Sequence, residues 1–246
     1  MNYFTKEWYE LMQRSSFHLL LEEESQAETF SEEYFQQLYK FKLNESNELR
    51  KEIAIFENEP YDKENSTKQF YEGFIYNQEH IKKNLPEKIL KIIADVRVFV
   101  LDRASRNVIN AVTQFCEENE TTAKETIKEY GRYYSKSLKS FDKNMIENIN
   151  FHDCNIVNIE PNKKSLILFL DSTGGFTDID EIVFENYQII KQDGSLANTW
   201  WLYDEIYKVN NKYEIHVLLQ NENMDLIEFI ISVENIDFKS NKKEED

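Results

Sequence analysis

The chain is poor in the residues that punctuate or staple a fold. Five Gly and three Pro in 246 residues exclude a collagen-like or loop-dominated chain and predict long regular elements with few elaborate turns. Two cysteines, Cys116 and Cys154, make no CxxC pair; that excludes a disulfide framework, and reduced, inert thiols of a cytoplasmic protein are the expectation. The longest helix-like apolar run, Val98-Phe99-Val100-Leu101, is far too short to cross a bilayer, so no membrane partner is expected. The opening Met1 to Trp8 has neither a basic region nor an apolar core and does not read as a signal peptide. HExxH, P-loop, dinucleotide-fingerprint, GxSxG and kinase patterns are all missing. That leaves no cofactor to expect and leans the reading away from an enzyme.

Positive charge is also scarce, and unevenly so. Residues 146–246 carry 20 acidic residues against 8 Lys and no Arg, a net of −12; residues 1–145 carry 26 acidic and 21 basic residues, a net of −5. A total of −17 repels bare nucleic acid and suits a basic protein partner. What the chain has in plenty is aromatic side chains, 17 Phe, 14 Tyr and 3 Trp, which mark it as globular rather than disordered.

The charge change coincides with a change of period. Before residue 146 apolar residues recur at helical spacing. Phe4, Trp8, Leu11 and Met12 share one face. Ser31 followed by Glu32 and Glu33 reads as a helix start, opening a stripe of Tyr34, Leu38, Phe41, Leu49, Ile53 and Phe56. Pro60 closes that region, and Ser66 or Thr67 starts the next helix. Pro86 opens a stretch to Leu101 that is apolar almost all round, which predicts the central helix of a bundle. Ser105 caps another helix, and a last one begins near Thr121 or Thr122.

From Phe151 the pattern alternates at strand spacing, with turns at Pro161–Lys164, Gly174-Gly175, Asp193-Gly194 and Asn210-Asn211. The expected architecture is α+β: a helical bundle over 1–145, a small antiparallel β-meander or open barrel over 146–238, and a polar tail over 239–246. The Asn210-Asn211 turn sets a hairpin register. Ile206 faces Ile215, Leu202 faces Leu219, and Leu202, Ile206, Tyr213, Ile215, Val217 and Leu219 form the core side. The other side carries Trp201, Tyr203, Glu205 and Tyr207, with Glu205 opposite His216, a cross-strand charge pair. This aromatic side is a candidate partner surface, unless it packs on the helical half of the same chain. Asp204 falls on the core side, which requires either a buried partner or a bulge.

A second candidate is the polar cluster Asp95, Arg97, Asp102, Arg103 and Arg106, in a region otherwise apolar. It reads as an anion pocket or as helix–helix ion pairs, with Asp102 and Arg106 at i,i+4. Other polar groupings carry less. His18 and Glu22 are two ligands and no metal site. In His152-Asp153-Cys154 neighbouring side chains of a strand point apart. The Asp171, Asp178, Asp180, Glu181 group does not have EF-hand spacing.

The segments Tyr3–Tyr9, Phe17–Leu21, Ala94–Arg97, Trp201–Tyr207 and Glu214–Leu219 together resemble the bacterial family known as domain of unknown function 4085. That resemblance covers nearly the whole chain and implies no activity and no catalytic residues. The Trp201–Leu219 hairpin is also similar to β domains of immunity-type proteins of polymorphic toxin systems, which implies binding to a basic protein. The reading is therefore a cytoplasmic, non-enzymatic protein-binding module; the alternative is an enzyme or small-anion receptor with a pocket in the bundle.

Overall fold

The computed structural model describes residues 1–240 and has an α+β fold. In chain order it runs α1 (Lys6–Gln13), β1 (Glu22–Glu23), α2 (Glu32–Glu57), α3 (Lys63–Asn84), α4 (Glu87–Leu90), α5 (Val96–Phe99), β2 (Arg103–Ala104), α6 (Arg106–Ser137) and α7 (Lys143–Asn148). Then follow β3 (Asn155–Pro161), β4 (Ser165–Asp171), β5 (Glu181–Glu185), β6 (Gln188–Gln192), β7 (Thr199–Val209), β8 (Lys212–Asn221), β9 (Leu226–Val233) and β10 (Asn235–Lys239). These elements form two compact units. One is Leu11–Thr121; the other joins Met1–Glu10 to the chain from Thr122 onward. The division differs from the boundary expected at 145/146. The change of period marks where strands begin, whereas α1 and α6 each contribute to both units. Of the polar tail, Lys239 ends β10, and residues 241–246 lie outside the described residues.

The helical unit is built on the α2–α3 hairpin. Ser31 Oγ accepts from Tyr34 N at 3.2 Å, the expected cap. Asn58 ends α2 in the left-handed region (φ 58), a conformation that asparagine tolerates. α3 starts earlier than Ser66 or Thr67, because Asp62 caps it through Asn65 N at 3.0 Å. Ser66 lies inside the helix instead, buried and donating to Asn47 Oδ1 at 2.7 Å. Phe35, Leu38 and Phe74 pack with Val98 and Leu101 in one cluster; Ile81, Leu85, Ile89, Phe99, Val108, Val112 and Cys116 belong to a second.

Two helices differ from expectation. The apolar stretch after Pro86 is no single helix: α4 and α5 are one turn each. Asp95 stops continuation because its carboxylate accepts from Arg97 N at 2.9 Å, a local bond that competes with the helical ladder and starts α5 afresh. The β-branched Val96, Val98 and Val100 add little helix propensity to resist the break. Conversely, no break occurs at Thr121 or Thr122; α6 runs through both. Ser105 Oγ does sit at its start, accepting from Val108 N at 3.4 Å.

In the other unit, eight antiparallel strands follow the order β10-β5-β4-β3-β7-β8-β9-β6. β5 runs on into β6 past Asn186 (φ 49), and β9 runs on into β10 past Glu234. The two bent ribbons pair along both halves, Glu185 with Asn235 and Gln188 with Ser232. The sheet therefore curls round on itself as a barrel, although β6 and β10 each pair on one side only. Alternate residues of β4 and β5 (Leu166, Leu168, Leu170, Ile182, Phe184) point inward, opposite Trp201, Ile206, Ile215, Val217, Leu219, Phe229 and Ile231 in one continuous core.

Closure is incomplete at one seam. β3 and β7 pair only through Asn155–Trp200 and Ile156–Thr199. Beyond it the β7 edge is satisfied piecemeal, as buried backbone groups require. Asp153 N donates to Trp201 O at 2.9 Å, the His152 ring meets Leu202 O, and Ile206 N donates to the Tyr130 hydroxyl at 3.0 Å.

Candidate functional site

The hairpin register matches expectation from the turn back to Tyr203. Asn210 and Asn211 have φ of 49° and 65°, Ile206 faces Ile215 and Glu205 faces His216. A bulge at Leu202 then shifts the phase, so that Trp201, not Leu202, faces Leu219. Trp201 is thereby turned into the barrel core at 1 % exposure, a correction to its place on a partner surface. Asp204 stays on the core side, where both expected solutions hold: there is a bulge, and Trp201 Nε1–H donates to Asp204 Oδ2 at 2.9 Å.

The remaining members of that face do come together, but under cover. Glu205 is fully buried and His216 nearly so. The amides of Asn2, Tyr3 and Phe4 donate to the Glu205 carboxylate at 2.8, 2.8 and 2.6 Å, and the Tyr207 hydroxyl donates at 2.6 Å. Four charge-assisted bonds compensate the burial of one carboxylate. Burial, and then this bond to Glu205, push the Tyr207 phenol far above its ordinary value. His216 Nε2 lies 2.6 Å from Glu214 Oε1, while its buried Nδ1 faces Glu205 Oε2 at 3.7 Å without a hydrogen bond. Tyr203 packs against Phe4 and Trp8, with ring centroids 5.5 and 4.8 Å apart. Tyr203, Glu205 and Tyr207 thus anchor the N-terminal segment to the barrel, with His216 buried beside Tyr207, instead of offering an exposed surface.

The second predicted group is dispersed. Asp95 and Arg97 form a bidentate pair, and Arg97 reaches Glu32 at 2.8 Å while lying 4.0 Å over the Phe35 ring. These carboxylates push the Arg97 guanidinium above its ordinary value, the Asp95 bond most. Asp102, at φ 66, pairs with Lys42 at 2.9 Å. Arg103 meets Glu22 at 2.9 Å, and Arg106 meets Glu23. The Asp102–Arg106 pair does not form, because Asp102 precedes α6 in a left-handed turn and the i,i+4 helical geometry never arises. Among the described residues, all three arginines are thus paired with carboxylates.

Two features escaped the sequence reading. The first is a cleft of about 300 Å3 at the barrel seam, lined by Ile149, Asn150, Phe151, His152, Leu202, Tyr203 and Asp204. Burial pushes the half-buried Asp204 carboxyl up to about 6, against its Trp201 hydrogen bond, with the charge of Glu205 adding to the rise. Nearby Cys154 is wholly buried and its thiol is pushed up to about 11, mainly by that burial, which leaves it protonated and inert. The misfit of Asp204 in the pattern was the one available signal for this cleft. The second feature is on α2: Phe41, Leu49, Ile53 and Phe56 are 53, 59, 46 and 92 % exposed. At 100° per residue they span one 120° face, with Glu45 and Glu52 between them. Their helical spacing was legible; their exposure was not.

No helix among the described residues is long and apolar enough to cross a membrane. No curated protein and no solved structure matches the chain. A family model does match, over residues 29–231 and hence over most of both units. The chain belongs to the family described as protein of unknown function DUF4085.

Proposed function

We propose that this protein is a non-enzymatic protein-binding module whose docking surface is the exposed face of α2. The observation that carries the reading is the row Phe41, Leu49, Ile53 and Phe56, held out to solvent on a capped and well-packed hairpin. A contiguous exposed apolar face is costly to keep in water and marks a place where another surface docks. Among the described residues no ion pair involves Glu45 or Glu52, so the face offers uncompensated negative charge beside its apolar anchors. A partner helix with apolar side chains flanked by Lys or Arg fits that pattern, and the net charge of −17 steers such a partner inward. An immunity-type role, with a basic toxin domain as the partner, is one form of this proposal. The two free, buried cysteines suit the reducing cytoplasm in which it places the protein.

The test is capture of partners from lysate of the source cell, comparing wild type with a Leu49→Asp/Phe56→Asp double variant. A basic protein is retained by wild type, lost by the variant and released by added salt. Retention that ignores both the substitutions and the salt, or no partner at all from an intact fold, overturns the reading.

A further inference from the structure

The seam cleft in the barrel gathers a carboxylate and an imidazole beside an aromatic ring, with the Asn150 amide and the Tyr203 hydroxyl able to donate as well as accept. The bulge at Leu202 leaves that residue's carbonyl outside the β7–β8 ladder, and His152 Nδ1 takes it up. An imidazole whose Nδ1–H is committed to a carbonyl is fixed in the tautomer that leaves Nε2 as an acceptor. That Nε2 lies 3.6 Å from Asp153 Oδ2, two acceptors with no proton between them when the ring is neutral. Asp204 uses Oδ2 on Trp201, and among the described residues nothing donates to its Oδ1. The Tyr203 ring, 5.3 Å from the His152 ring, supplies an aromatic wall. The Asp204 carboxylate, an imidazole acceptor and a π face in one recess of about 300 Å3 select a ligand that brings donors and positive charge.

We infer that this cleft binds an organic cation of the guanidinium or alkylammonium class, seated between the Asp204 carboxylate and the rings of Tyr203 and His152. Asp204 is the charge-recognising residue; Tyr203 supplies the π face; His152 accepts a further donor. This site is independent of the α2 surface, and either can fail without the other. The recess accommodates a head group, whether of a free small amine or of a Lys or Arg side chain from another protein.

The Trp201 indole N–H is a reporter at the site, since it donates to the same carboxylate at 2.9 Å. The Trp8 indole N–H, on Ala123 O at 3.3 Å, is an internal control. Both are followed by NMR as methylguanidinium is titrated in, with methylurea as its uncharged counterpart. The expected result is a saturable shift of the Trp201 signal with methylguanidinium and none with methylurea. Trp8 stays still, and the response is lost in Asp204→Asn, which keeps an acceptor for Trp201. An unchanged Trp201 signal in wild type, an equal response to methylurea, or a wild-type response in Asp204→Asn overturns the inference. A capped Gly-Arg-Gly peptide separates the sources: a tighter response than methylguanidinium assigns a protein side chain, a weaker one a free amine.

Discussion

The barrel unit and the helical unit handle their apolar residues in opposite ways. In the barrel, 23 buried residues form one continuous cluster, to which every strand of the sheet but β6, exposed along its length, contributes. In the helical unit the described core divides into clusters of eight and six, and α2 leaves a row of large apolar side chains in water. Closure explains the contrast. A sheet that curls round has one inside, so an inward side chain is shared by several strands. A two-helix hairpin has an inside only along its contact line, and the remaining faces are committed by nothing within the pair. The barrel encloses its apolar residues, whereas α2 leaves its own in the open, on the face we propose for docking.

The comparison is most sharply broken by deleting the same ring from each unit. Phe229, fully buried, lies in the barrel core; Phe229→Ala is expected to cost about 4 kcal/mol through lost burial and the cavity left behind. Phe56→Ala, at 92 % exposure, is expected to stay within about 0.5 kcal/mol of wild type. All three tryptophans, Trp8, Trp200 and Trp201, lie in the barrel unit. Denaturant unfolding read by tryptophan fluorescence therefore reports that unit, while circular dichroism follows the helices. Comparable losses at both positions would dissolve the contrast.

Glu205→Gln comes next. The amide replaces a carboxylate that accepts three backbone N–H groups and a phenol, and it turns a donor toward donors. A loss of about 3 kcal/mol is expected in the fluorescence transition, with Tyr207→Phe costing less because only one bond is removed. A neutral Glu205→Gln would mean that the N-terminal segment contributes little to the barrel.

The smallest of the three effects has the opposite sign. Burial raises the Asp204 carboxyl from 3.8 to about 6 in the fold, so the ionised form is the costly one. The cost is absent below about pH 4, grows as pH rises to about 6, and is constant above that. Asp204→Asn keeps an acceptor for Trp201 and removes the charge. It should stabilise the barrel by about 1–2 kcal/mol at about pH 7.5, after allowance for partial exposure, and by nothing near pH 4. Paired denaturation curves at the two pH values check this; a gain that is the same at both would mean that charge is not its source.

Much of this organisation is written locally. Ser31 before Glu32 and Glu33 marks a cap because a hydroxyl can satisfy a free amide at that point and nowhere inside a helix. Asn210-Asn211 sets the β7–β8 register because asparagine tolerates the positive φ that a two-residue turn demands, and Glu205 meets His216 as a result. The alternation of β4 and β5 reads directly as inside and outside. The break at Asp95 was missed: a short carboxylate before Arg97 competes for the backbone, but the apolar run around it masked the division between α4 and α5.

By itself, then, the sequence determined the α+β order, the turns, the caps at Ser31 and Ser105 and most inward faces, since each of these depends on bonds spanning only a few residues. Tertiary structure alone decided the rest. It placed the Leu202 bulge, because only the seam between β3 and β7 calls for a shift of phase there. It covered Glu205 with the amides of Asn2, Tyr3 and Phe4, about 200 positions away in the chain, a contact no local pattern encodes. It left the α2 stripe in water and opened a cleft beside Asp204. Whether an apolar or charged side chain is buried, paired or exposed depends on what the rest of the chain brings to it, and only folding supplies that.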